Sequence, residues 1–186
     1  MQLVNFENLD DLSRLLSRVD EKFAWLRRKV HRILENKLDE QAYSVFAESI
    51  LVDCRALFIE NSRYKTNCTL QNFYKATNHP EYAVGIDEYF DRATSNGVSL
   101  REVIKTWVDK HIVHFDYVNE EAEGAHLQGV RRLLDRQTID NLFVDILLFA
   151  RQYEEYRAYL YKSGAAVAEA ITSDPHPSET NGEHDG

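Results

Sequence analysis

In the stretch "TWVDKHIVHFDYV", Thr106 to Val118, the residues Asp109, Lys110, His111, His114 and Asp116 sit among aromatic and β-branched neighbours. These residue types at this spacing allow three kinds of chemistry. A histidine titrating near neutrality moves protons, and a neighbouring cation holds developing negative charge, as general acid–base chemistry at a phosphodiester requires. Two histidines at i and i+3, His111 and His114, could present imidazoles to a metal, with Glu123 and His126 of "EGAH" adding the ExxH pair of di-iron bundles. In the third case the polar residues only solvate the outer faces of an amphipathic helix. Helical periodicity sorts them: Leu100, Ile104, Trp107, Val108, His111 and Phe115 follow core spacing, so His111 is expected among packed neighbours. Lys110 and His114 fall about 40° apart on an adjoining face. A di-iron site needs a second ExxH and two further carboxylates on facing helices, which do not stand out, and "EGAH" lies beside a glycine where a loop is expected. No metal and no cofactor is therefore expected.

The elements that must position these residues are helices. Seven glycines and three prolines in 186 residues are few for a chain built from hairpins. A first long helix is expected from Asn8 to about Asn36, capped by Asn8, on the apolar spacing of Leu12, Leu15, Val19, Phe23, Leu26, Val30 and Ile33. A second runs from about Asp39 to Ile59, antiparallel to the first across "NKLD". Short helices follow in "LQNFYKATNHP", stopped by Pro80, and "EYAVGIDEYFDRATS", ending near Asn96-Gly97. Ser99 with Glu102 forms a capping box, so the helix carrying the polar stretch starts there and runs to about Glu121. A last long helix is expected from Val130 to Lys162, with a break near Thr138 allowed and Gly164 as its stop. The predicted class is all-α: an antiparallel bundle of four to six helices forming one domain over residues 1–163, followed by a disordered tail, 164–186, too poor in apolar residues to offset the entropy of ordering.

The formal net charge of −9 argues against general affinity for nucleic acid or anionic membranes, because a phosphate-binding surface needs a local excess of Lys and Arg. Such an excess does occur locally. "WLRRKVHR" places Arg27, Arg28 and Arg32 on the first helix, where they either hold a nucleic-acid backbone or complement the helix dipole as a solvated face. No apolar run approaches the ~20 residues of a membrane span, and the first residues carry no signal-peptide pattern, so a cytoplasmic protein without membrane contact is expected. Cys54 and Cys68 belong to no CxxC or zinc spacing, and in a reducing compartment no disulfide is expected between them. The tyrosines of "QYEEYRAYLY" point to several sides of the last helix, more than one small bundle buries, and suggest a docking face for a protein partner or a second copy of the chain.

The phrase "VDKHIVHFDYV", on the penultimate core helix of an all-helical chain, resembles the signature helix of HEPN domains (higher eukaryotes and prokaryotes nucleotide-binding), especially their abortive-infection branch; "ILVDCRALF" resembles that branch's second helix. The resemblance covers about residues 8 to 163, with one short specific phrase. It implies a helical bundle that dimerises with the two signature helices facing each other, in many members as a metal-independent endoribonuclease of antiviral defence or toxin–antitoxin systems. It also implies RNA as the partner. By this resemblance the catalytic candidates are His114, with Lys110 and Asp109 supporting it and Asp116 following. The family's arginine falls on Val108, which donates nothing. Lys110 is one substitute cation, lacking the two-pronged guanidinium grip on phosphate, and Arg55 of the second helix is another. Without that arginine the phrase fits RNA binding or scaffolding as well as cleavage.

Overall fold

The computed structural model describes residues 9–35, 37–60, 67–94, 97–113 and 122–173. They form α1 (Leu9–Glu35), α2 (Glu40–Cys54), α3 (Leu70–Ala76), α4 (Pro80–Asp91), α5 (Leu100–Trp107), α6 (Ala122–Leu133) and α7 (Arg136–Ser173). Two of these helices continue in a wider, π-helical form, α2 over Arg55–Ile59 and α5 over Val108–Val113. The all-α class is thus seen, with seven α-helices among the described residues where four to six were expected. The nearest approach to a sheet among them is one isolated bridge, Ala93 to Ser99. The chain divides into two compact units, Met1–Leu147 and Leu148–Gly186, with the boundary inside α7.

Local chemistry explains most helix starts. Asp39 accepts the Ala42 amide at 2.8 Å, Thr69 that of Asn72 at 3.2 Å, and Ser99 that of Glu102 at 3.1 Å, each satisfying an amide the first turn leaves without a carbonyl. Pro80 opens α4, where its missing N–H costs nothing, and Gly97 takes the left-handed conformation (φ +75°) of the turn leading to α5. The expected Asn8 cap lies outside the described residues.

Within the first unit, α1 packs on α2 and α3, α3 on α4, and α5 on α6 and on the π-helical end of α2. That π-helical end is the centre of the core. Leu57, Phe58 and Ile59 are buried in succession, as are Leu70 to Tyr74 of α3. Phe58 meets Phe23 of α1 edge-on at 5.7 Å and stacks on Phe90 of α4 at 5.4 Å. Its carbonyl accepts a hydrogen bond from the buried Gln71 amide of α3 at 2.5 Å.

Three expectations are corrected. The helix expected to start at Val130 begins earlier, as α6 at Ala122, and the break allowed near Thr138 is present: α6 ends at Leu133, and Asp135 starts α7 by accepting the Thr138 amide at 2.7 Å. Both the backbone and side-chain hydrogen bonds of Thr138 hold the Asp135 carboxyl below its usual range. "EGAH", expected in a loop, is inside α6. Gly164 does not stop α7, which runs on to Ser173; a glycine in a helix interior costs only about 1 kcal/mol. The rest of the expected tail, 174–186, lies outside the described residues.

The start of α7 is latched to the bundle by two similar polar contacts. Tyr43 of α2 donates to Asp140 at 2.7 Å beneath the Arg136 guanidinium, and Tyr89 of α4 donates to Asp145 at 2.6 Å beneath that of Arg92. Burial first, and then these aspartates, push both phenols well above the ordinary tyrosine value of about 10. Because the folded value is the higher one, the stability these tyrosines contribute is complete below about pH 10 and is lost as pH rises toward the folded values. The melting temperature should therefore fall between about pH 10 and pH 11.5, and Tyr89→Phe should flatten part of that fall in thermal melts followed by circular dichroism. An equally steep fall in the variant would show that Tyr89 does not carry it.

Candidate functional site

The polar phrase is built where the two π-helical ends meet. Arg55 opens the widened turn of α2, and its guanidinium reaches across to Asp109 in the widened turn of α5. Nε lies 2.6 Å from Oδ1 as an ion pair without hydrogen-bond alignment, and Nη2 donates to Oδ2 at 3.3 Å. On its other side, Nη1 donates to Glu60 at 2.5 Å. The pair is shielded, with the Arg55 side chain 25% and that of Asp109 31% exposed. Burial works against the Arg55 cation, but the Asp109 hydrogen bond and the Glu60 charge outweigh it and hold its pKa above the ordinary value.

The π geometry is what makes this cluster. Arg55 and Glu60 are five residues apart, a spacing that does not bring side chains together on an α-helix, whose partners lie at three and four. Here the Glu60 amide bonds to the Arg55 carbonyl at 2.7 Å, the i to i+5 bond of a π-turn, and the two side chains meet. Single π-turns inside α-helices occur often at functional positions. Sequence reasoning named Arg55 and Asp109 but missed Glu60, because nothing in "CRALFIE" announces the widening.

The other candidates are placed as follows. Val108, where the resemblance puts an arginine, is buried at 1% exposure and belongs to the core rather than to a cleft. Lys110 is exposed on the π-helical end of α5. His114 and Asp116 lie outside the described residues, as do the side chains of His111, Glu123 and His126. Among the described residues, no three His, Cys, Asp or Glu side chains gather as a metal site. Arg28 and Arg32 are exposed on α1, and Arg28 sits over the Trp25 ring at 5.4 Å. Arg27 is half-buried on the same helix. That helix touches α2 through Lys29 and Asp53, 2.6 Å apart, two positions before Arg55 and so on another side of α2. The structure thus joins Arg55 to the phrase and leaves the α1 arginines on a separate face.

Chemically, the cluster holds one guanidinium between two carboxylates. A phosphate entering it must displace a carboxylate from Arg55, so as arranged it cross-links α2 and α5 more readily than it captures an anion.

No described helix is long and apolar enough to cross a membrane. No family model, curated protein or solved structure matches the chain.

The arrangement makes Arg55 the more costly partner to remove. Arg55→Ala leaves two shielded carboxylates facing each other without a cation, whereas Asp109→Ala leaves Arg55 still paired with Glu60. In urea unfolding, Arg55→Ala should destabilise more than Asp109→Ala, and the double variant should show a coupling of about 0.5–3 kcal/mol. Strictly additive effects would show that the pair does not hold the two ends together.

Proposed function

We propose that this chain is a HEPN-like RNA-binding protein, acting as a homodimer in nucleic-acid-linked defence or toxin–antitoxin biology, and that it binds RNA without cutting it. The observation that carries the reading is Arg55. The phrase resembling the HEPN signature helix lacks its arginine at Val108, and a guanidinium from the helix resembling that branch's second helix lies beside the phrase instead. The same observation argues against cleavage, because this guanidinium is already neutralised by Asp109 and Glu60 and is poorly placed to stabilise the charge of a phosphoryl transition state. Lys110 and His114 belong to the same phrase.

A protein partner or a second copy is supported by α7. In the second unit Leu148 and Tyr159 are 60% and 58% exposed, and eleven residues, close to three turns, put them about 20° apart around the helix. Gln152 and Glu155 stand between them on that face, so it is the mixed polar and apolar surface of an interface rim.

The test is made with the purified full chain in EDTA. A single-stranded RNA should be retarded in a gel and recovered intact, and light scattering should give about twice the chain mass. Cleavage that survives EDTA and disappears in His114→Ala would replace this reading with the ribonuclease one. Failure to retard any RNA would leave the helical interaction module.

A further inference from the structure

The α1 helix carries charge in a pattern that the Arg55 cluster does not use. Between Arg14 and Arg32 it holds seven of the chain's 22 Lys and Arg against two acids, a local excess of five positive charges in a chain whose net charge is −9. Most of that excess lies in one line. Arg14, Arg18, Lys22, Trp25, Lys29 and Arg32 are spaced by four or three residues, so at about 100° per residue they fall within one sector of roughly 80° and run about 27 Å along the helix. Midway along the line stands Trp25, 56% exposed although the Arg28 guanidinium lies 5.4 Å from its ring, an unusual place for an indole that could have been core. It lines an open groove of about 480 Å³ with Arg18, Glu21, Lys22, Lys29 and Asp53. Lys29 is paired with Asp53 at 2.6 Å and Arg18 with Glu21 at 3.3 Å, while Lys22 donates to the Cys68 carbonyl at 3.3 Å; unlike the Arg55 guanidinium, which two carboxylates share, each of these cations meets at most one of these partners and has further N–H groups to offer a phosphate.

From this we infer that the Arg14–Arg32 face of α1 is a binding surface for single-stranded RNA, with an unpaired base stacked on Trp25 and the flanking cations on the phosphates. A line of cations interrupted by one exposed aromatic ring is what an unpaired strand needs, since every base offers a π-face while its backbone offers regular charge. A duplex hides its bases and cannot use the indole. An acidic peptide would use the cations and leave the ring idle. The inference rests on the proposed RNA binding but assigns it to a different face from the Arg55 cluster.

The chain reports on this surface itself. It has two tryptophans, and Trp107 is buried at 8% exposure, so changes at Trp25 dominate what a bound ligand does to the fluorescence. Titrating the full chain with oligouridylate should quench it. Trp25→Leu, at an exposed position and checked for folding by circular dichroism, should abolish the quench and weaken binding in a gel shift roughly 5- to 150-fold, the range of one stacked base. Arg18→Gln should lower the salt dependence of binding by about one ion. Four results would overturn the inference. If Trp25→Leu binds oligouridylate as the wild type does, the α1 surface is wrong while RNA binding stands. If no RNA binds at all, both readings fail. Poly-glutamate quenching as strongly as oligouridylate would assign the face to acidic proteins, and duplex RNA binding with the same dependence on Trp25 would exclude a stacked, unpaired base.

Discussion

Widening of α2 at Arg55 is the constraint on which the first unit depends. At this end α2 must deliver Leu57, Phe58 and Ile59 to the core in succession and still lie against α1, α4 and α5. The π-turn meets that demand at the cost of one regular backbone bond. Phe58 then bridges Phe23 and Phe90, each such aromatic contact worth about 0.5–1.5 kcal/mol beyond the area it buries. The Phe58 carbonyl is taken by Gln71, whose amide also donates to Asp87 at 3.1 Å; Asp87 accepts from Arg101, and Arg101 from its other edge holds Asp91. One departure from α geometry is thus tied by a continuous polar chain to α3, α4 and α5. Removing Gln71 leaves the shielded Phe58 carbonyl without this donor, which costs more than the lost bond itself.

The same departure creates the candidate site. Turning Arg55 out of the α register lets it meet Glu60 along its own chain and Asp109 across the helix interface. Stability and recognition compete for that guanidinium. Two carboxylates on one cation make a shielded cluster of net charge −1, well suited to fastening two helix ends and poorly suited to an incoming phosphate. A nuclease derived from the same helices would need a guanidinium with an unoccupied edge, and the position aligned for one, Val108, is committed to the core. This is the physical reason for reading the cluster as a fastening between two helix ends rather than as a cutting site.

What the sequence disclosed and what it hid divide along the range of the forces involved. Local signals were legible: Ser99 caps α5 as its capping-box pattern suggests and Gly97 takes the left-handed turn, and Asp39 and Thr69 cap by the same short-range chemistry. The break between α6 and α7 is also a local signal, Asp135 with Thr138, and the sequence allows it near Thr138 although Leu133, Leu134 and Ile139 continue the apolar rhythm through it. The π-turns left no trace, since tertiary demand and not local preference creates them, and with them went the Arg55–Glu60 contact at its spacing of five. Asp109 was nameable from the polar stretch itself and Arg55 only because a family resemblance drew attention to the second helix; nothing in their spacing, 54 residues apart, says that they touch.

The α1 helix shows how one element serves packing and recognition without conflict. Its core stripe, Val19, Phe23, Leu26, Val30 and Ile33, is centred about 100° around the helix from the line through Arg18 and Trp25, so the two sets of residues share a backbone and few neighbours. Segregation also settles how a basic line works on an acidic chain. At long range a polyanion meets the net charge of −9, but at physiological salt that repulsion fades beyond about 8 Å. Within that distance the local excess of five positive charges is what remains. Recognition at such a face is a contact event rather than a steered one: the overall field does not draw the ligand in, and selectivity falls to the group at the centre of the line that is not a cation, Trp25.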